Sequence, residues 1–191
     1  MNAPARDDEL LSRARAGDAV AFRVLVERYQ GVVAAVVIGM LGAGDDADDV
    51  GQEVFVRFHA ALHRFRGEAQ LATYLHRIAM NLSLNALKRR RRQSLRLVSR
   101  DQVEAPLPEP AAEAPDAERI ERAAVVRAAV ARLDEKHRSV VVLRMLDGLS
   151  TNETAEVLRL PPGTVMSRLA RAMAELERLL APYVRGDAHA S

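Results

Sequence analysis

The chain has 191 residues, 49% of them apolar, 28% charged and only 4% aromatic, which excludes a disordered chain and favours helix over sheet, with length for two cores of roughly ninety residues each. The absence of cysteine excludes disulfides and thiolate metal sites and fits a reducing cytoplasm. A net charge of +2 hides a segregation: residues 61–100 carry ten cations and one acid, and residues 101–117 carry five acids and no cation, so the middle block seeks a polyanion.

The N-terminal "MNAPARDDELL" has no cationic start followed by an apolar run and does not read as a secretory signal. From Ala21 through Val24/Leu25, Tyr29, Val32/Val33 and Val36/Val37 to Met40/Leu41, apolar residues recur at helical spacing, with Asp18 as N-cap and Gly42 as stop. This predicts one long buried helix. Its longest apolar run, Val32 to Leu41, is ten residues, too short to span a bilayer. A second helix is predicted over about Asp45–Phe65, with Val50, Val54, Phe58, Leu62 and Phe65 on one stripe. Asp45, Asp46, Asp48 and Asp49 begin it, where carboxylates are favoured by the helix dipole. His59 and His63 lie four apart on it, but no third ligand, His-Glu-x-x-His pattern or cysteine accompanies them, so they read as surface histidines and no metal or other cofactor is expected.

After a turn at Arg66–Glu68, a third helix is predicted over about Leu71–Arg92, with Leu75, Ile78, Ala79, Leu82 and Ala86 facing inward. Arg77, Asn81, Asn85, Lys88 and Arg92 fall on a separate polar stripe that merges with five consecutive cations, Lys88 to Arg92. Amides donate and accept, so they can read bases in an open strand, while cations gain affinity by displacing counterions from phosphates. Taken alone, either feature reads equally as a solvated face. Val103 to Ala117 holds four prolines and four acids without helical periodicity, predicting a flexible linker that tethers two lobes.

In the second lobe Ile120, Ala123, Val126, Val130 and Leu133 mark a helix, and His137 to Gly148 another, closed by glycine. Ser150 and Glu153 have capping-box spacing. Pro161-Pro162 ends the helix they start and opens the next. Helix, short turn and helix, with the small Ala155 at the crossing, read as a helix-turn-helix. Val165, Leu169, Ala172, Leu176 and Leu179 form the buried seam of its second helix, and Thr164, Ser167, Arg171 and Arg178 lie opposite, where a recognition helix reads base edges and phosphates. No phosphate-cradling glycine loop or Gly-x-Ser-x-Gly elbow is present; no catalytic residue is assigned and the chain is not read as an enzyme.

"DDADDVGQEVFVRFHAALHRFRGEAQLATYLHRIAMNLSLNALKRRRR" together with "LSTNETAEVLRLPPGTVMSRLARAMAEL" resembles the extracytoplasmic-function sigma factors of bacterial RNA polymerase, over nearly the whole chain outside the linker. The resemblance implies an all-α fold of two small helical domains: residues 1–98, a flexible linker 99–117, and residues 118–191 with the helix-turn-helix. It implies that Asp48, Asp49, Gln52, Glu53 and Phe55 dock on the beta-prime clamp coiled coil of core polymerase, the beta flap being a further contact. Phe65, Arg66, Gly67 and Leu71 belong by resemblance to a loop that captures a flipped base of the minus-ten element. Arg77, Asn81, Asn85 and Lys88 contact that element as it opens, a step costing a few kcal/mol of stacking. Thr164, Ser167, Arg168 and Arg171 contact the minus-thirty-five element. Met166 and Ala170 depart from the polar or bulky residues often found in their places, Tyr74 stands where Trp is usual, and Arg159 where Gly often closes a helix. The implied partners are core RNA polymerase, promoter DNA and a membrane-anchored anti-sigma factor, the chain itself acting in the cytoplasm and not embedded in a membrane. The alternative is a stand-alone helix-turn-helix regulator on duplex operators, which would not need the acidic helix or the Asn-Arg stripe.

Overall fold

The computed structural model of the chain describes residues 6–65, 70–97 and 115–187, and among these every regular element is a helix. An unforeseen α1 (Asp7–Arg15) opens the structure; Asp7, Asp8 and Glu9 sit in its first turn and Leu10, Leu11 and Ala14 are buried. Asp7 accepts from the Tyr29 hydroxyl and from Arg28 of α2 (Ala19–Leu41). Burial, and then that hydrogen bond, push the Tyr29 hydroxyl up to about 12.

Helix α2 begins and ends as its sequence dictates. Asp18 Oδ1 accepts from the backbone N–H of Val20 (2.9 Å) and Ala21 (3.1 Å); these bonds, led by that from Ala21, and the Arg13 guanidinium hold its carboxyl below the usual range. Gly42 stops the helix at φ 80°, a left-handed conformation that glycine adopts without strain. At 23 residues α2 is long and apolar enough by length and composition to cross a bilayer, although its longest uninterrupted apolar run is not. It is instead the central helix of the fold, packed on by α1, by α3 (Asp45–Ala61) and by α4 (Leu71–Leu97).

The second predicted helix is cut short. After Ala61 a 3-10 turn, Leu62–Arg64, tightens the chain, and Phe65 is extended. The tighter winding keeps Leu62 and Phe65 both buried. Phe65 packs against Tyr74 and Phe58, with ring centroids 4.9 and 6.4 Å away. Leu75, Ala79, Leu82 and Ala86 of α4 are buried as expected, and so are His76, Met80 and Ser83, because α4 is covered on a further side.

That cover is the C-terminal half. Helix α5 (Pro115–Arg132) begins with proline, inside the stretch expected as linker; residues 98–114 lie outside the described residues. Its buried face is Val125, Ala129 and Val130, leading to Leu133, not the predicted stripe through Val126, which is 40% exposed. Valine and alanine fill neighbouring stripes of this helix, and packing against both α2 and α8 (Pro162–Asp187) selects between them. Helix α6 (Glu135–Val141) does not run on to Gly148: a π turn over Val142–Leu146 follows, closed by the Asp147 N–H on the Val142 carbonyl at 2.9 Å.

In α7 (Thr151–Leu158) the capping box is complete: Glu153 N–H donates to Ser150 Oγ and Ser150 N–H to Glu153 Oε2. The Ser150 hydrogen bonds hold the Glu153 carboxyl below its ordinary value. Arg159 ends α7 in the left-handed region at φ 53°, doing what glycine does more cheaply. Val140, Ala155 and Val165 then form a small core where α6, α7 and α8 meet. The two halves are not merely tethered. One buried cluster runs from Leu10 to Leu176, with α5 and the π turn against α2, and α6 and α7 against α4.

Replacing the cap hydroxyl, Ser150→Ala, is expected to lower stability by about 1 kcal/mol. Urea titration followed by circular dichroism checks this; an unshifted midpoint would show the cap to be idle.

Candidate nucleic-acid interface

The polar stripe of α4 is where the periodicity put it. Asn81, Asn85 and Lys88 are exposed, on the side away from Leu75, Ala79 and Leu82. Both amides therefore face solvent with donors and acceptors available. Arg77, at the head of the stripe, is half-buried: its Nε donates to the Glu156 carbonyl (3.2 Å) and its Nη2 to Glu156 Oε1 (2.9 Å), both on α7.

Of the turn before α4, Arg66 and Gly67 lie outside the described residues, while Phe65 and Leu71 are buried. These two are anchors of the turn and not exposed contacts. Arg15 of α1, which the sequence did not single out, fastens the near end: its guanidinium donates to the carbonyls of Leu62 (3.1 Å) and Phe65.

The run of five cations divides. Lys88, Arg89, Arg91 and Arg92 are exposed, a cluster whose mutual repulsion a phosphate backbone would relieve. Arg90 points elsewhere: its Nε donates to Asp46 Oδ2 at 2.6 Å and its Nη1 to the Leu41 carbonyl at 3.0 Å. It joins the end of α2 to the start of α3. Of the five cations read as phosphate-seeking, four are exposed and Arg90 is engaged within the fold, because one in about every three or four residues of a helix must face its neighbours.

On α8, Ser167 and Arg171 are exposed and Thr164 and Arg168 half-buried, while Val165, Ala172 and Leu176 point into the core. The Ser167 hydroxyl donates to the Thr164 carbonyl at 3.1 Å, a local bond it can exchange for an outside partner by rotation. Met166, 53% exposed, adds an apolar contact to this surface. Short hydroxyls and a guanidinium fork beyond a capped first helix make a surface able to enter a major groove.

The acidic helix offers a third surface. Asp48, Asp49 and Gln52 are exposed, Glu53 and Phe55 half-buried. Glu53 accepts from Arg57 Nε at 2.7 Å, a pair too exposed to contribute much. Asp48, Gln52 and Phe55 line one wall of a groove of about 400 Å³ between α2 and α3, with Val26, Gln30 and Val37 opposite. His59 lays its ring against the edge of Phe22, centroids 4.8 Å apart.

Sequence reasoning missed a set of residues that join the two halves. His76 is buried, with Nδ1 2.6 Å from the Ala72 carbonyl and Nε2 on the Asp147 carboxylate. Arg138 Nη1 donates to the Met40 carbonyl at 2.9 Å and Nη2 to that of Leu133 at 3.0 Å. Burial pulls the Arg138 guanidinium below its ordinary value, with Glu135 opposing. A histidine inside an apolar stripe was the available signal for the first.

Residues 25–93 match the family Sigma-70 region 2, and residues 123–176 match Sigma-70, region 4. The chain is similar to the RNA polymerase sigma-H factor of Pseudomonas aeruginosa, 34% identical over 188 residues that cover 94% of this chain and 96% of that protein. It is also similar to the ECF RNA polymerase sigma-E factor of Escherichia coli, 36% identical over 194 residues, 97% of this chain and all of that one. Among solved structures, CnrH in complex with the cytosolic domain of CnrY aligns with a TM-score of 0.65 at 28% identity, over 91% of this chain and 96% of that chain. The sigma factor RpoE in complex with the anti-sigma factor NepR from Bartonella quintana has the same TM-score at 21% identity, over 84% and 96%, and shares the fold.

Because Arg90 is structural and its neighbour is not, Arg90→Ala is expected to lower stability by about 1 kcal/mol, and Arg91→Ala to leave it within about 0.5 kcal/mol. Thermal unfolding of the two variants decides this; equal melting temperatures would contradict it.

Proposed function

Since the chain belongs to the extracytoplasmic-function sigma factors of bacterial RNA polymerase, we propose a division of labour among its surfaces: α3 docks on polymerase, the exposed stripe of α4 holds the opened minus-ten strand, and α8 reads the minus-thirty-five duplex. As a sigma factor the protein directs core polymerase to promoters and promotes melting for transcription initiation. It supplies binding energy and no bond chemistry of its own.

The observation that carries the division is the pair of exposed rows on separate halves, Asn81, Asn85 and Lys88 on α4 and Ser167 and Arg171 on α8. Two rows on two halves suit two promoter elements, one single-stranded and one duplex. At the first, Asn81 and Asn85 reach unstacked bases while Lys88 and the three exposed arginines after it neutralise phosphates. Arg77 would join them once released from Glu156. Residues 66–69 lie outside the described residues; by resemblance Arg66 and Gly67 are candidate contacts of a flipped base, and the chain on either side of them is anchored by buried Phe65 and Leu71 and, at Phe65, by Arg15. At the second, Thr164, Ser167, Arg168 and Arg171 present hydroxyls and guanidinium forks at the start of a capped recognition helix.

On the polymerase side, Asp48, Asp49 and Gln52, with Glu53 and Phe55 behind them, would meet the beta-prime clamp coiled coil, the apolar wall of the α2–α3 groove receiving its side chains. The beta flap is the expected contact of the C-terminal half. An anti-sigma factor with a membrane anchor is the expected inhibitor, since CnrH, 28% identical, is seen with a cytosolic domain of CnrY. The protein would act in the cytoplasm, beside polymerase.

Run-off transcription with purified core polymerase on mapped promoters tests the reading. Promoter-dependent transcripts are expected, lost in Ser167→Ala/Arg171→Ala and in Asn81→Ala/Asn85→Ala; full transcription by both double variants would overturn the residue assignments. Replacing Lys88, Arg89, Arg91 and Arg92 by alanine, with Arg90 kept, is expected to flatten the salt dependence of promoter binding by about one unit of slope per lost phosphate contact. Filter binding of holoenzyme across a salt series measures it, and an unchanged slope would place the run off the DNA path.

A further inference from the structure

The outer side of α8 carries two columns of different chemistry. Met166 and Ala170, one helical turn apart, stand beside Ser167 and Arg171, also one turn apart, and all four are exposed. We infer that Met166 determines specificity in the minus-thirty-five element: with Ala170 beside it, it takes the C5-methyl group of a thymine in the major groove, while Ser167 and Arg171 engage polar edges and phosphates. The inference rests on the reading of α8 as the helix that enters the minus-thirty-five duplex, and it names the base which that helix selects.

Thioether chemistry decides the kind of base. A methionine sulfur is a weak acceptor with no hydrogen to donate, so Met166 cannot tell bases apart by their donors and acceptors. What it offers is polarisable apolar surface. Every base presents hydrogen-bonding atoms in the major groove, and thymine alone adds a methyl group. An apolar side chain placed there favours thymine by burying that methyl. It disfavours purines, whose N7 acceptors it would strip of water without replacing the bond.

The helix-turn-helix holds Met166 to this task. It is 53% exposed although it directly follows Val165, which is fully buried, so its backbone is fixed by the small core of Val140, Ala155 and Val165. The Thr151 hydroxyl of α7 donates to its sulfur at 3.5 Å. That weak bond ties the middle of a flexible side chain to a helix whose start is set by the Ser150–Glu153 capping box, and it reduces the entropy lost when a base is met. Ahead of Met166 the approach is open: a Cβ built on Gly163 would meet nothing within 4 Å. Ala170 also borders an apolar groove farther along, between α5, the π turn and α8, but Met166 is not among the walls of that groove. Its place is with the polar row, on the surface that faces DNA.

Uracil in place of thymine removes the methyl and keeps every hydrogen-bonding atom, which isolates the contact. Holoenzyme reconstituted with core polymerase is titrated by filter binding, at fixed salt, against mapped promoter duplexes in which the thymines of the minus-thirty-five element are replaced by uracil one at a time. Wild type is expected to lose about three- to fivefold in affinity at one or two of those positions, the effect of withdrawing one methyl group from apolar contact. Met166→Ala is expected to bind thymine and uracil duplexes equally there, because the methyl has lost its partner. Met166→Leu keeps the apolar surface and is expected to retain the preference. Equal binding of thymine and uracil duplexes by wild type at every position would overturn the inference, as would an undiminished preference in Met166→Ala. A loss in Met166→Ala that leaves the thymine preference intact would assign the residue to a protein contact and overturn it as well. The underlying reading is tested separately, by Ser167→Ala/Arg171→Ala on the all-thymine duplex: weakened binding upholds α8 as the reader whatever the uracil series shows, and unweakened binding removes it.

Discussion

The constraint on which the rest depends is the packing of α4 against α2 and α3. A helix of 27 residues presents several faces, and only the one carrying Leu75, Ala79, Leu82 and Ala86 is fixed by the hydrophobic effect. Once that face is buried, 3.6-residue geometry dictates where Asn81, Asn85 and Lys88 emerge, where Arg90 turns inward and where His76 meets the other half. The candidate nucleic-acid surface has no geometry of its own; it inherits the register of the core.

At the C-terminal carbonyls of α2 guanidinium groups from both halves converge. Arg90 from α4 takes the Leu41 carbonyl and Arg138 from α6 takes that of Met40. The last turn of a helix leaves its carbonyls without partners and carries the negative end of the dipole, so guanidinium groups belong there. Two like charges brought this close oppose each other, and Arg90 accordingly helps to pull Arg138 below its ordinary value. Asp46 and Glu135 offset the repulsion from either side.

What the sequence made legible were the features decided locally. Asp18 and Gly42 bound α2 as read, Ser150 with Glu153 caps α7 as read, and the buried seams of α4 and α8 follow their periodicity. The misses share a different cause. Val126 was read inward because apolar residues fill more than one stripe of α5, and only contacts from α2 and α8 choose between them. Arg90 was counted among the outward cations because a run of like residues conceals its own periodicity. Helix α1 went unread because nine residues with three buried side chains give a weak pattern; its purpose becomes clear only through Arg15, which secures carbonyls nearly fifty positions away. The junction of the halves was invisible for the same reason: no local rule pairs His76 with Asp147 across 71 residues.

The wide turn at Val142–Leu146 has a consequence of a different kind. Winding by i to i+5 accommodates one more residue than an ordinary turn, and deleting that residue would rotate everything beyond it by about 100°. Asp147 would swing away from His76. At this point the molecule is sensitive to counting as well as to chemistry: a single codon lost would part Asp147 from His76 and loosen the junction of the halves.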